Sequence, residues 1–132
     1  MASLKAPELY AGCLAGAPIA DLEMNWSLAS AHYKEFLTHF LGGSLEEVPD
    51  RYRNASPLTH IDNMAVPTFI SAGTNDTSTY FPQTENFCNI AKEKGKEIYT
   101  YFDDSGHDTS DKNMIILQIT NTLLFLKYVT NK

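Results

Sequence analysis

The sequence predicts an α/β domain in which three parallel strands are flanked by helices. Apolar runs at 10–18, 66–73 and 97–102 alternate with helical patterns at 30–41, 82–94 and 111–128. Such alternation gives a parallel sheet with helices on its faces, because parallel strands need a crossover between them. In addition, Asp76 and His107 each follow one of two successive strands. The carboxyl ends of parallel strands are where functional groups gather.

Each element has its own local reason. Residues 2–9 read as the closing turns of a helix that Pro7 limits. Tyr10 to Pro18 is apolar and small, which suits a strand buried on both faces and lets helices approach closely. Residues 19–28 read as irregular. From Ser30, a candidate N-cap, Tyr33, Phe36, Leu37, Phe40 and Leu41 recur at helical spacing until Gly42 and Gly43 stop the helix. The stretch up to Met64, with Pro49 and Pro57, reads as a loop. Val66 to Gly73 is a second buried strand with Pro67 at its start. Residues 82–94 form a helix, with Pro82 in the first turn and Gly95 after its end. Glu97 to Phe102 is the third strand. Ser110 or Asp111 caps a last helix running to about Tyr128, whose apolar face is expected at Ile115, Ile116, Ile119, Leu123 and Leu126.

Composition excludes several classes. The 132 residues suffice for one domain, and 43% are hydrophobic, as in globular chains. A net charge of -6 with scattered Lys and Arg argues against nucleic-acid binding, which needs clustered cations. No stretch is apolar for long enough to span a membrane, because Gln118, Thr120, Asn121 and Thr122 interrupt the most apolar segment. The first seven residues lack the hydrophobic core of a signal peptide, so a cytoplasmic location is expected. Cys13 and Cys88 are expected to be reduced thiols, not a pair. Sequons stand at Asn25, Asn54 and Asn75. His32 and His39 share a helix face but lie two turns apart, and His60 sits in a loop. All three read as surface or packing residues, and neither a metal nor a cofactor is expected.

An acid and a histidine at successive strand ends, in that order, match the last two members of an α/β-hydrolase triad. His107 would act as general base, because imidazole titrates near neutrality. Asp76 would orient its ring. Each residue also has a plain structural reading: Asp76 as a turn residue in Asn75-Asp76-Thr77-Ser78, and His107 as a loop residue near a helix cap. The nucleophile should precede both on Gly-x-Ser-x-Gly, which occurs nowhere in the chain. Ser3 lacks the flanking glycines and lies in a helical stretch, so it is not that nucleophile.

Several stretches together resemble the catalytic domain of the prolyl oligopeptidase family of serine peptidases, which includes dipeptidyl peptidases and acylaminoacyl peptidases. Ala6-Pro7-Glu8-Leu9-Tyr10 followed by Ala15 to Asp21 is similar to the segment after that family's nucleophile helix. Tyr52 to Pro57, then Ile61 to Pro67, resembles the approach to its penultimate strand. Gly73-Thr74-Asn75-Asp76 matches its triad-acid motif, and Phe102 to His107 its triad-histidine region. Thr77-Ser78-Thr79-Tyr80 departs from the usual residues after the acid, and Asp108 replaces the usual glycine after the histidine.

The resemblance implies one partial α/β-hydrolase domain over 1–132, the C-terminal portion of the fold, with the nucleophile half missing. It implies a peptide substrate, catalytic roles for Asp76 and His107, and a partner half carrying the serine and the oxyanion hole. It places Ile19, Leu22, Met24 and Trp26 in the wall of the pocket for the substrate side chain beside the cut bond. Tyr80 and Phe81 either line the cleft or cover the next helix. On this reading the chain is inactive alone. The competing readings are a non-catalytic remnant that keeps the fold for interaction, and an esterase-like fragment of the same fold, since fold does not fix substrate.

Overall fold

The structure, a computed structural model, describes residues 1–131. Its centre is a parallel sheet in the order β1 (Cys13–Gly16), β2 (Thr68–Gly73), β3 (Ile98–Asp103). Leu14, Phe69 and Tyr99 stand in register on one face, and Ala15, Ile70 and Thr100 on the other.

Among the described residues the helices are α1 (Ala2–Lys5), α2 (Leu22–Leu28), α3 (Ala31–Leu41), α4 (Pro49–Ala55), α5 (Phe81–Glu93) and α6 (Lys112–Thr130). Short 3₁₀ turns occupy Pro7–Leu9 and Pro57–Asn63. Ile70 packs with Leu4, Ile61, Met64, Phe87, Cys88 and Ala91 in the main core, which Ala15 and Phe102 flank. On the opposite face Phe69 meets Phe125 and Val129 of α6. Gly12 permits that approach, since a Cβ there would sit 3.0 Å from Val129 Cγ1. Burying one such side chain stabilises by roughly 1.5–3 kcal/mol. Trp26, Leu37 and Tyr52 form a third cluster under α2, α3 and α4.

Four local expectations are corrected. Residues 22–28 are helical, not irregular, because Asp21 Oδ1 accepts the free amides of Glu23 and Met24 at 3.0 Å each. The stretch to Met64 is not a loop: Pro49 and Pro57 begin helical turns, where a missing N–H costs nothing. β1 is not buried on both faces. It is an edge strand, as β3 is on the other side, and Leu14 is 43% exposed.

The fourth correction concerns α6. Asp111 is its cap, accepting from Asn113 N and Met114 N. Ile116, Ile119, Leu123 and Leu126 of the expected apolar face are exposed, whereas Ile115 turns toward the groove that Ser71 and Gln118 line. The face against the sheet carries Phe125 and Val129, and Gln118 Nε2 reaches Ser71 Oγ at 3.2 Å. With apolar residues around most of the helix, periodicity alone could not choose the inner face.

Candidate active site

The loops after β2 and β3 form one unit. Thr74 N donates to Asp103 O at 2.7 Å, Asn75 N to Ser105 O at 3.0 Å, and Asn75 Nδ2 to Asp104 O at 2.7 Å. Gly73 makes this docking possible. A Cβ on it would lie 2.3 Å from the carbonyl oxygens of both Ser105 and Gly106. The two loops therefore meet where only hydrogen fits.

This docking brings Asp76 and His107 together, with Asp76 Oδ2 2.9 Å from His107 Nδ1. The Asp76 side chain is 1% exposed and that of His107 42%. Asp76 Oδ1 accepts the amides of Ser78 at 2.7 Å and Thr79 at 2.9 Å, and Oδ2 also accepts the Thr79 hydroxyl at 2.8 Å. One oxygen thus closes the turn while the other meets the histidine, so the turn reading of Asp76 and its pairing with His107 hold together. Burial pushes the Asp76 carboxyl upward. The Thr79 amide, His107, the Thr79 hydroxyl and the Ser78 amide outweigh it and hold the group below the ordinary carboxylate value.

Beside His107 lies a cleft of about 360 Å³ whose lining includes Gly16, Ala17, Ser71, Asp103 and Gln118. A second groove of about 380 Å³ touches His107 from the side of Ser30, His32, Tyr33 and Thr77 to Tyr80. Neither has Ile19, Leu22, Met24 or Trp26 in its lining. Trp26 packs edge-on to Tyr52 at 5.2 Å, and Leu22 joins the same cluster. Ile19 is half-buried in the segment after β1. Tyr80 lines the second groove, and Phe81 packs edge-on to Phe102 at 4.9 Å. Ser3 is buried in α1 and lines neither space. His32 joins the second groove, whereas His60 bonds Asn54 O.

Sequence reasoning missed Gly73, Asn75 and Thr79 as supports of the pair. The Gly-Thr-Asn-Asp run carried the signal for the first two, since each residue has a reason to sit in a tight turn. Nothing local marked Thr79. Among the described residues, no group of three or more His, Cys, Asp and Glu is placed to hold a metal ion. Among the described residues, no helix is long and apolar enough to cross a membrane either.

A family model described as the prolyl oligopeptidase family matches residues 1–132. The fold is similar to that of a puromycin hydrolase variant complexed with PGG, at 26% identity and a TM-score of 0.81, covering 98% of this chain and 20% of that one. It is similar to the acylaminoacyl peptidase of Pyrococcus horikoshii, at 19% identity and a TM-score of 0.78, covering 98% of this chain and 21% of that one. The dipeptidyl peptidase 4 of Porphyromonas gingivalis shares the fold at 18% identity and a TM-score of 0.75, covering 93% of this chain and 16% of that one. The chain thus spans about a fifth of the length of these solved chains.

Proposed function

The chain belongs to the prolyl oligopeptidase family, and from that premise we propose that it supplies the acid and the base of a serine-peptidase active site. The observation that carries this reading is the Asp76–His107 contact at the carboxyl edge of the sheet. With Asp76 ionised, Nδ1 keeps its proton and donates it, which leaves the Nε2 lone pair for a serine hydroxyl. That serine comes from a nucleophile-bearing half, joined to these residues or separate, because no Gly-x-Ser-x-Gly lies among the 132 residues. As Oγ attacks a peptide carbonyl, its proton passes to Nε2 and the carbonyl electron pair moves onto oxygen. When the tetrahedral species collapses, the C–N bond breaks and Nε2 protonates the leaving amine. Water then repeats the sequence on the acyl-serine.

Ile19, Leu22, Met24 and Trp26, which the resemblance places in the wall of the substrate side-chain pocket, line neither space beside His107, so a pocket walled by them would have to be completed by the half that brings the serine. The half that brings the serine has an apolar surface to cover. Leu14 on β1 and Ile116, Ile119, Leu123 and Leu124 on α6 are all exposed. Surfaces of that kind mark contacts with further protein.

The test is reconstitution. Alone, the chain gives no hydrolysis of dipeptide anilides above buffer, because it lacks nucleophile and oxyanion donors. Mixed with a matching half bearing Gly-x-Ser-x-Gly, it restores turnover, and a fluorophosphonate labels that half and never this chain. A folded but inert pair would favour the remnant reading. Labelling of this chain, with turnover by it alone, would refute the assignment of the nucleophile elsewhere.

A further inference from the structure

Gln83 lies in the first turns of α5, fully buried, and every polar atom of its side chain is engaged. Its Oε1 accepts the amides of Ala20 at 2.6 Å and Asp21 at 3.1 Å. Its Nε2 faces Pro18 O at 2.7 Å, Thr84 Oγ1 at 2.8 Å and Thr79 O at 2.9 Å. Thr84 Oγ1 in turn donates to Pro18 O at 3.0 Å. Two segments therefore converge on one amide: the one leaving β1, and the one that closes the Asp76 turn.

We propose that Gln83 is a positioning residue for the Asp76–His107 pair, acting through Thr79; the proposal rests on the catalytic reading of that pair. Thr79 links the two groups. Its amide and hydroxyl hold Asp76, while its carbonyl is held by Gln83. Backbone strain points to the same place. Among the described residues, the non-glycines with positive φ are Ala17 at 41° and Tyr80 at 54°. Such conformations persist only where their surroundings fix them. Ala17 precedes Pro18 and Tyr80 follows Thr79, so Gln83 bonds the neighbour of each strained residue. An apolar side chain would fill the same volume but abandon the Ala20 and Asp21 amides and the Thr79 carbonyl, while Pro18 O would keep only the Thr84 hydroxyl. Replacing Gln83 frees Thr79 to drift, and Asp76 drifts with it.

The experiment is an NMR measurement on the full chain with labelled histidine, following solvent exchange of the His107 Nδ1 proton. In the native chain that proton exchanges slowly, and Asp76→Asn makes it fast. Gln83→Met raises its exchange about tenfold or more, as expected when hydrogen bonds to buried groups are lost. Amides in the centre of the β2–β3 ladder stay protected, which separates positioning from unfolding. Gln83→Glu keeps the acceptor for Ala20 and Asp21 but loses the donors to Pro18 and Thr79. It carries the test if the methionine variant does not fold, and the same rise is expected. A folded Gln83 variant whose Nδ1 exchange stays within about twofold of native would overturn the positioning role and leave the pair intact. A native signal indifferent to Asp76→Asn would instead overturn the pair.

Discussion

Gly73 and Gly106 approach so closely that a single methyl group on Gly73 would sit 2.3 Å from the Gly106 carbonyl oxygen. Backbone on both sides leaves no flexible side chain to yield. Gly73→Ala therefore separates the two loops. We expect a loss of roughly 1–3 kcal/mol in stability by urea denaturation, the usual range for overpacking. The His107 Nδ1 proton should also lose its protection. An alanine variant with native stability and native protection would mean that the loops need no such contact.

Asp76 gives the stability a defined acid limb. Its folded carboxyl titrates below the ordinary carboxylate value, and the unfolded group titrates at about 3.9. Above the unfolded value the stabilisation is fully present. It declines as pH falls through the lower, folded value, because over that window the unfolded chain binds more protons. Denaturation curves at stepped pH should show Asp76→Asn with a flatter acid limb than native. Parallel limbs in the two proteins would contradict this.

In the reconstituted enzyme the pair should dominate the rate. His107→Ala is expected to cost three or more powers of ten in kcat, and Asp76→Asn roughly 10⁴, through the wrong tautomer. Thr79→Val keeps the amide that bonds Asp76 and loses only the hydroxyl, so about tenfold is expected. Equal losses for all three would point to collapse of the loop instead of graded loss of chemistry.

The two sides of α6 should respond oppositely to substitution. Phe125 is buried against Phe69 and Tyr99, with ring centroids 5.7 and 5.8 Å away. Phe125→Ala should cost about 3–5 kcal/mol. Leu124, 61% exposed, should tolerate Leu124→Lys within about 0.5 kcal/mol. Leu124→Lys should also reduce self-association in sedimentation, since the outward face and the open β1 edge both favour sticking. Strong destabilisation by Leu124→Lys in the isolated chain would reverse this assignment of faces.

The strands were legible because Val66 to Gly73 and Glu97 to Phe102 are short apolar runs bounded by turn formers. The helix from Ser30 was legible from both ends, with a capping hydroxyl and a glycine that takes φ 77°. Asp21 went unread as a cap because the apolar residues that follow it, Leu22, Met24, Trp26 and Leu28, alternate with a period of two instead of recurring at helical spacing. α6 failed for the opposite reason, an excess of apolar residues. At the site, motif order and strand-end placement pointed to Asp76 and His107. Their supports come from hydrogen bonds across the fold: Gln83 reaches Pro18 and Ala20, a separation that no local pattern encodes.

Strand order also governs the route by which the chain assembles. β2 is central and parallel to both neighbours, so no pair of strands can close through a hairpin. β2 and β3 are joined through α5 alone and can meet early. β1 must wait for α2, α3 and α4 to compact before it reaches Thr68 to Ser71. Ladders that depend on such distant closures form slowly. The last strand to arrive has, like β3, a neighbour on one side only among the described residues, so its open edge is exposed in transit as well as at rest. A nascent chain of this design stays longest in the form most open to capture by a chaperone or by another unfinished strand.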